Sequence, residues 1–305
     1  MKSFHLAAAV FLATTTMAIA QEKVQITYSG VVSVEHLADA NGSGNYFYGN
    51  GDVSFRWPSV NDLKFGVDLG LENFSVLDNV SVHLTSYYVA GIVEGRFGKV
   101  SIGMPRGIMD DYFTVPGMGG SESFNQYSEL GVIGSDLIGS FKLIWSGEEE
   151  FYGARYDGKI GQIEVAASAF RLSGSAVHAE EIAARYDAGQ WSVSLGTVLL
   201  DFEGISLSST SLEVQGHAGK FSGGMVYTNS DLLNIDAIRG FVSYDVNEMI
   251  KLNTQVLHFN TGSSDSKMYS FDLAYKHKTG AFITAGVIKN ASDNNLYNVS
   301  LGYKF

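Results

Sequence analysis

Seven histidines, 32 acidic side chains and no cysteine are what this 305-residue chain offers to bond-making chemistry. The histidines (His5, His36, His83, His178, His217, His258 and His277) are scattered, and no two stand at metal-ligand spacing. There is no HExxH, no GxSxG and no phosphate-cradling glycine loop. Without cysteine there is no thiolate nucleophile and no disulfide. Glu213 and His217 share one face of an alternating segment, where they read as polar neighbours rather than a catalytic pair. The sequence therefore predicts no catalysis, no cofactor and no metal. Its charges can still act through their field. Residues 106–149 are rich in Gly, Ser and acids, among them Asp110, Asp111, Glu122, Glu129, Asp136, Glu148 and Glu149. Fixed charges in a narrow space sort ions without forming bonds.

The elements that hold those charges are read from alternation. Leu63, Phe65, Val67, Leu69 and Leu71 alternate with Lys64, Gly66, Asp68 and Gly70. Val53, Phe55 and Trp57 alternate with Asp52, Ser54 and Arg56, and Tyr269, Phe271, Leu273 and Tyr275 with Ser270, Asp272, Ala274 and Lys276. The last nine residues, YNVSLGYKF, set Tyr297, Val299, Leu301, Tyr303 and Phe305 against Asn298, Ser300, Gly302 and Lys304. A period of two marks strands with one apolar and one polar face. Read this way, strands lie near 24–36, 46–57, 62–72, 86–97, 99–105, 150–157, 161–171, 179–187, 190–200, 210–218, 221–228, 236–245, 249–259, 267–277, 281–289 and 296–305. Connections after even-numbered strands are tight. Those after odd-numbered strands read as longer and polar: 37–45, 73–85, 106–149, 172–178, 201–209, 229–235, 260–266 and 290–295. A closed sheet in lipid must be apolar outside and polar inside. The sequence thus predicts an all-β fold: a transmembrane antiparallel β-barrel of sixteen strands, with both termini on the short-turn side.

Met1 to Ala20 read as a secretory signal peptide: Lys2 is the basic start, Leu6 to Leu12 the apolar core, and Ala18-Ile19-Ala20 the cleavage site. Residues 21–305 then form one barrel domain. Cleavage removes one lysine and no acid, so the net charge becomes 19 − 32 = −13. No apolar run reaches the length of a transmembrane helix. So acidic a surface argues against nucleic acid as a partner. Three prolines and 35 glycines suit a sheet with turns and kinks. Residues 106–149 break the rhythm, because loops beyond about 15 residues are usually functional. Their apolar members Ile108, Met109, Tyr112, Phe113, Val115 and Phe124 predict a loop folded against the barrel wall. Ser140 to Trp145 has the look of an extra short strand.

The chain resembles the Gram-negative general diffusion porins of the alphaproteobacterial type. The resemblance rests on the signal, the start KVQITYSGVV, the segment GRFGKVSIGMPRG at 95–107 with a long loop after it, and the terminal Phe305. It covers essentially the whole mature chain. It implies a homotrimer in the outer-membrane lipid and a third loop, about 106–149, folded inward as an eyelet. Asp110, Asp111, Glu122, Glu129 and Asp136 become candidates for the acidic side of the constriction. The family's loop string is replaced by VPGMGG at 115–120. Facing bases are then sought by strand parity, which gives Arg56, Lys64, Arg155, Arg185 and Arg239; Arg96, beside a short turn, falls at the rim. Phe305 is implied as the assembly signal, and Gly95 and Gly103 as small residues in the trimer contact.

The expected function is passive diffusion of ions and small hydrophilic solutes, with mild cation preference. The alternatives are a substrate-specific channel of the same fold, or a closed barrel acting as an enzyme or adhesion platform. Outer-membrane enzymes of that kind carry a Ser/His or Asp/His pair at the wall.

Overall fold

Alternation of apolar and polar side chains becomes sixteen antiparallel strands in the computed structural model, which describes residues 24–59, 62–78, 83–113, 115–123, 151–202, 204–231, 234–262, 264–289 and 294–305. They are β1 (Gln25–Asp39), β2 (Gly42–Arg56), β3 (Lys64–Val76), β4 (His83–Gly95), β5 (Gly98–Met104), β6 (Phe151–Ile160), β7 (Ile163–Leu172) and β8 (His178–Asp187), then β9 (Trp191–Phe202), β10 (Ile205–Ala218), β11 (Phe221–Ser230), β12 (Ile235–Asp245), β13 (Ile250–Asn260), β14 (Asp265–Lys276), β15 (Ala281–Lys289) and β16 (Asn295–Lys304). Each pairs with its sequence neighbours, and β1 pairs with β16 from Val31↔Lys304 to Ala38↔Tyr297, so the sheet closes. The terminal residue completes the seam. The Phe305 amide donates to the Gly30 carbonyl at 3.1 Å, and the Gly30 amide donates back at 3.0 Å. A Cβ at Gly30 would lie 2.6 Å from both the Asn50 carbonyl oxygen and the Phe305 ring, so only glycine admits this closure.

The two faces differ as lipid and water require. Ile102, Leu195, Phe271 and Leu301 point outward and are exposed, whereas Ser33, Ser168, Ser211, Ser270 and Ser300 point inward. Exposed aromatics form two outer belts. Tyr28, Phe97, Tyr156, Trp191, Phe221, Tyr303 and Phe305 lie toward the short turns; Tyr87, Tyr152, Tyr227, Tyr269 and Tyr297 lie toward the opposite end. From Tyr297 to Tyr303 the strand rises roughly 20 Å at about 3.3 Å per residue, comparable with an apolar layer.

The expected long connections at 37–45 and 201–209 are corrected. β1 and β2 run on to a turn at Ala40-Asn41, while β9 runs on to Phe202 and β10 begins at Ile205. Ser43 still pairs with Ala38 and Asn45 with His36. Above the lipid a strand is wet on both faces, so hydropathy alternation stops while the backbone ladder continues. Gly103 is also corrected as a candidate for the outer contact. It shares the inward parity of Lys99 and Ser101, and its φ of +128° places it in the region that favours glycine. The signal segment 1–20 and Ser140 to Trp145 lie outside the described residues.

Candidate functional site

After β5 the chain turns into the barrel. A buried peptide segment needs a partner for each amide and carbonyl, and the inner wall supplies them. The Ile108 amide donates to Glu181 Oε2 at 2.8 Å, which also accepts from Ser168 Oγ at 2.6 Å. Arg155 donates to the carbonyls of Arg106 at 3.2 Å and Gly107 at 3.0 Å. A single helical turn, α1 (Met109–Tyr112), then lies on β8 and β9. Ile108, Met109, Tyr112 and Phe113 bury themselves against Ala166, Ala183 and Val198. Gly196 opens the space: a Cβ there would sit 2.8 Å from Met109 Sδ and the Phe113 ring. Arg185 donates to the Tyr112 carbonyl and lies 5.4 Å from the Tyr112 ring centre. Burial, aided by Asp157, pushes the Tyr112 hydroxyl up to about 12, which keeps it neutral.

The segment continues along the wall to β1. Arg239 donates to the Pro116 carbonyl and to Gln255 Oε1, and Gln255 Nε2 donates to the Gly117 carbonyl at 2.8 Å. Met118 is buried among Leu257, Met268 and Ile288. Asp272, Gly286 and Asn298 are register neighbours on β14, β15 and β16. The missing side chain of Gly286 leaves a notch between its neighbours, and the Gly119 carbonyl oxygen enters it, 2.3 Å from where a Cβ would stand. Asn298 Nδ2 donates to that carbonyl at 3.2 Å, and Thr284 Oγ1 to the Gly120 carbonyl at 3.0 Å. The fully buried Glu35 closes the run. Its carboxylate accepts from Ser121 Oγ at 2.6 Å, the Glu122 amide at 3.1 Å, the Ser123 amide at 3.2 Å and Ser33 Oγ at 3.1 Å.

The structure distributes the expected site residues in three ways. Asp111 is half-exposed and pairs with Arg155 at 2.5 Å. Glu122 is partly exposed, and its carboxyl is partly withdrawn from water. Burial pushes it above the usual carboxylate range; Glu35 adds to the rise, while Lys304 and Arg239 oppose it. Glu129, Asp136 and the side chain of Asp110 lie outside the described residues.

The bases separate into two groups. Arg155, Arg185 and Arg239 do not face the segment from an opposite wall. They lie beneath it and donate to its backbone, because carbonyls laid on a wall need donors and a guanidinium carries five. Arg56 and Lys64 stand on β2 and β3, a wall that the described segment touches only through Arg106. Arg56 grips Asp68 with two bonds of 2.6 and 3.2 Å, and Lys64 is exposed. Arg96 pairs with Asp62 at 2.9 Å in the β2–β3 and β4–β5 turns, at the rim.

Sequence reasoning overlooked Arg106, Glu35 and Glu181. Arg106 donates to Asn50 and Asp52 at 2.9 Å each and lies 4.1 Å from the Tyr88 ring centre. The signal for Glu35 and Glu181 was an acid at inward parity among small or apolar residues. Nothing in the sequence states that each meets residues 108 or 121–123.

A family model described as Gram-negative porin matches residues 6–305. Solved structures with a similar fold include three variants of the porin of Rhodopseudomonas blastica. One, carrying five substitutions, has a TM-score of 0.65 at 13% identity, covering 92% of this chain and 100% of that one. A second has a TM-score of 0.66 at 12% identity with the same coverage, and a third, a triple mutant, 0.64 at 13% with the same coverage. At such identity the likeness shows the fold. No curated protein matches the chain in sequence.

Proposed function

Because the chain belongs to the Gram-negative porin family, and so is an outer-membrane channel for diffusion, we propose that it passes ions and small hydrophilic solutes with a mild preference for cations. The observation that carries this reading is the inward segment at 105–123, docked on the polar inner wall of a closed barrel. It narrows the lumen from the β8–β9 and β12–β16 side and, among the described residues, reaches the β2–β4 wall through Arg106. Loop 3, about 106–149, forms the constriction, with Asp110, Asp111, Glu122, Glu129 and Asp136 on its acidic side and Arg56 and Lys64 on the wall. A net charge of 19 − 32 = −13 after signal cleavage at Ala20 favours cations. The protein works as a homotrimer, and Phe305 serves as the assembly signal.

The reading is tested by reversal potential in a KCl gradient across a planar bilayer. Asp110→Asn with Asp111→Asn lowers cation preference, and Arg56→Ala with Lys64→Ala raises it. If both pairs shift the potential in one direction, or neither moves it, the assignment of charge at the constriction is wrong.

A further inference from the structure

Between the docked segment and the short-turn end of β12–β16 lies a cavity of about 480 Å3. Its roof is Pro116, Gly117 and Gly120; its charged lining holds Glu248 and the Lys251–Asp245 pair at 3.4 Å, and beside them Glu122, Asp272, Lys276 and Lys304. These four are unlike the charges of the β2–β6 wall, where Arg56, Lys99, Arg106 and Arg155 each sit within ion-pair distance of a carboxylate. Among the described residues, neither Lys276, Lys304 nor the Glu122 carboxylate has an ion-pair partner within 4.0 Å. Asp272 is 1% exposed, and only its Oδ2 is bonded, accepting from Asn253 Nδ2 at 2.6 Å. Its Oδ1 is buried with no hydrogen-bond partner.

A buried carboxylate oxygen without a donor is costly, and a cationic donor satisfies it best. At the open end, Lys276 and Lys304 are exposed and offer donors to an anion. Asp272 and Lys276 share the inward face of β14, four residues apart, so their Cα atoms stand roughly 13 Å apart at about 3.3 Å per residue. That backbone separation is wider than the span between the two charges of a single α-amino acid, and the lysine stem adjusts it. The cavity volume suits a small solute.

We propose that this cavity is a binding subsite for small zwitterions with separated charges, of dipeptide size. The ammonium meets Asp272 and Glu122, and the carboxylate meets Lys276 and Lys304. The inference rests on the channel reading above and names a solute class for it.

The probe is glycylglycine, compared with N-acetylglycylglycine, which lacks the ammonium, and glycylglycinamide, which lacks the carboxylate. Each is added to the intact protein in a planar bilayer, and the concentration that halves the KCl current is read. The channel should respond to glycylglycine at about tenfold lower concentration than to either relative, as one lost charge-assisted hydrogen bond implies. Asp272→Asn should bring glycylglycine to the level of the acetylated compound. Lys276→Gln with Lys304→Gln should bring it to the level of the amide, and this variant tests the idea alone if the first does not assemble. Equal responses to the three compounds in a conducting wild-type channel, or variants that keep the wild-type order, would overturn the subsite alone. Absence of any KCl current would overturn the channel reading and the subsite with it.

Discussion

Gly286→Ala is a one-methyl probe of how the inward segment is held. The new Cβ would lie 2.3 Å from the Gly119 carbonyl oxygen and 2.8 Å from Asp272 Cβ and the Gly119 carbonyl carbon. Ordinary contact there is about 3.4 Å or more, so the Gly119 peptide must move by roughly 1 Å. Gly286 is an ordinary strand residue outside the positive-φ region, so alanine suits its backbone. The strain therefore falls mainly on the segment, with a smaller share at Asp272 on the neighbouring strand. Its movement weakens the Asn298 and Thr284 bonds, worth about 0.5–1.5 kcal/mol each. It also draws Met118 from the cluster with Leu257, Met268 and Ile288, worth about 1.5–3 kcal/mol if complete. Docking at this end thus loses on the order of 2–6 kcal/mol, while the bonds to Gln255 and Glu35 keep the segment tethered. A methyl on the wall side pushes the peptide toward the lumen. The expected result is lower single-channel conductance with added open-channel noise, in a barrel that still assembles. Gly240→Ala is the control: its Cβ would meet only Val256 Cγ1, at 3.6 Å. A folded Gly286→Ala channel with wild-type conductance and noise would refute the placement of Gly119.

Three further outcomes follow from the same contacts. Glu35→Gln replaces one acceptor oxygen with a donor facing the donors at residues 121–123; the noise of single channels should rise while the heat stability of the barrel changes little. Deleting Phe305 removes both bonds to Gly30 and the ring near Tyr28, so the amount of folded protein in the outer membrane should fall, and a normal level would contradict the seam role. Glu122 has a raised carboxyl, so it takes up its proton at a higher pH than an ordinary glutamate near 4.3. Cation preference, read as reversal potential, should begin to fall on acidification above that range. Glu122→Gln should remove this early part of the titration.

Strand parity was legible because each strand separates lipid from water. Lys64, Arg155, Arg185, Arg239 and Asp272 all stand on the inward face that alternation assigned them. The far ends of β1, β2, β9 and β10 were not legible, since beyond the lipid both faces are polar and the period vanishes. The docking of residues 105–123 was partly legible: Ile108, Met109, Tyr112 and Phe113 announced a wall contact without saying which wall. Its partners come from distant parts of the chain, Glu35 for Ser121 and Asn298 for Gly119. Gly286 looks like any strand glycine until the carbonyl it admits is in place.

The charge that a solute meets depends on depth as well as count. On the β2–β6 side the arginine is the deeper partner in three pairs, whereas Glu72 lies deeper than Arg106 and Asp157 deeper than Lys99. Arg56 is 17% exposed against 32% for Asp68, Arg106 13% against 44% for Asp52, and Arg155 6% against 51% for Asp111. An arginine is held there by the work it does on protein atoms: Arg155 on the carbonyls of Arg106 and Gly107, Arg106 on Asn50 and the Tyr88 ring. The carboxylate that neutralises it is left on the water side, where a passing ion meets it first. At these three pairs the negative member is the nearer to water, and near fields outweigh far ones in a screened space. The burial that anchors the inward segment through arginine and the cation preference proposed for the channel then have one origin.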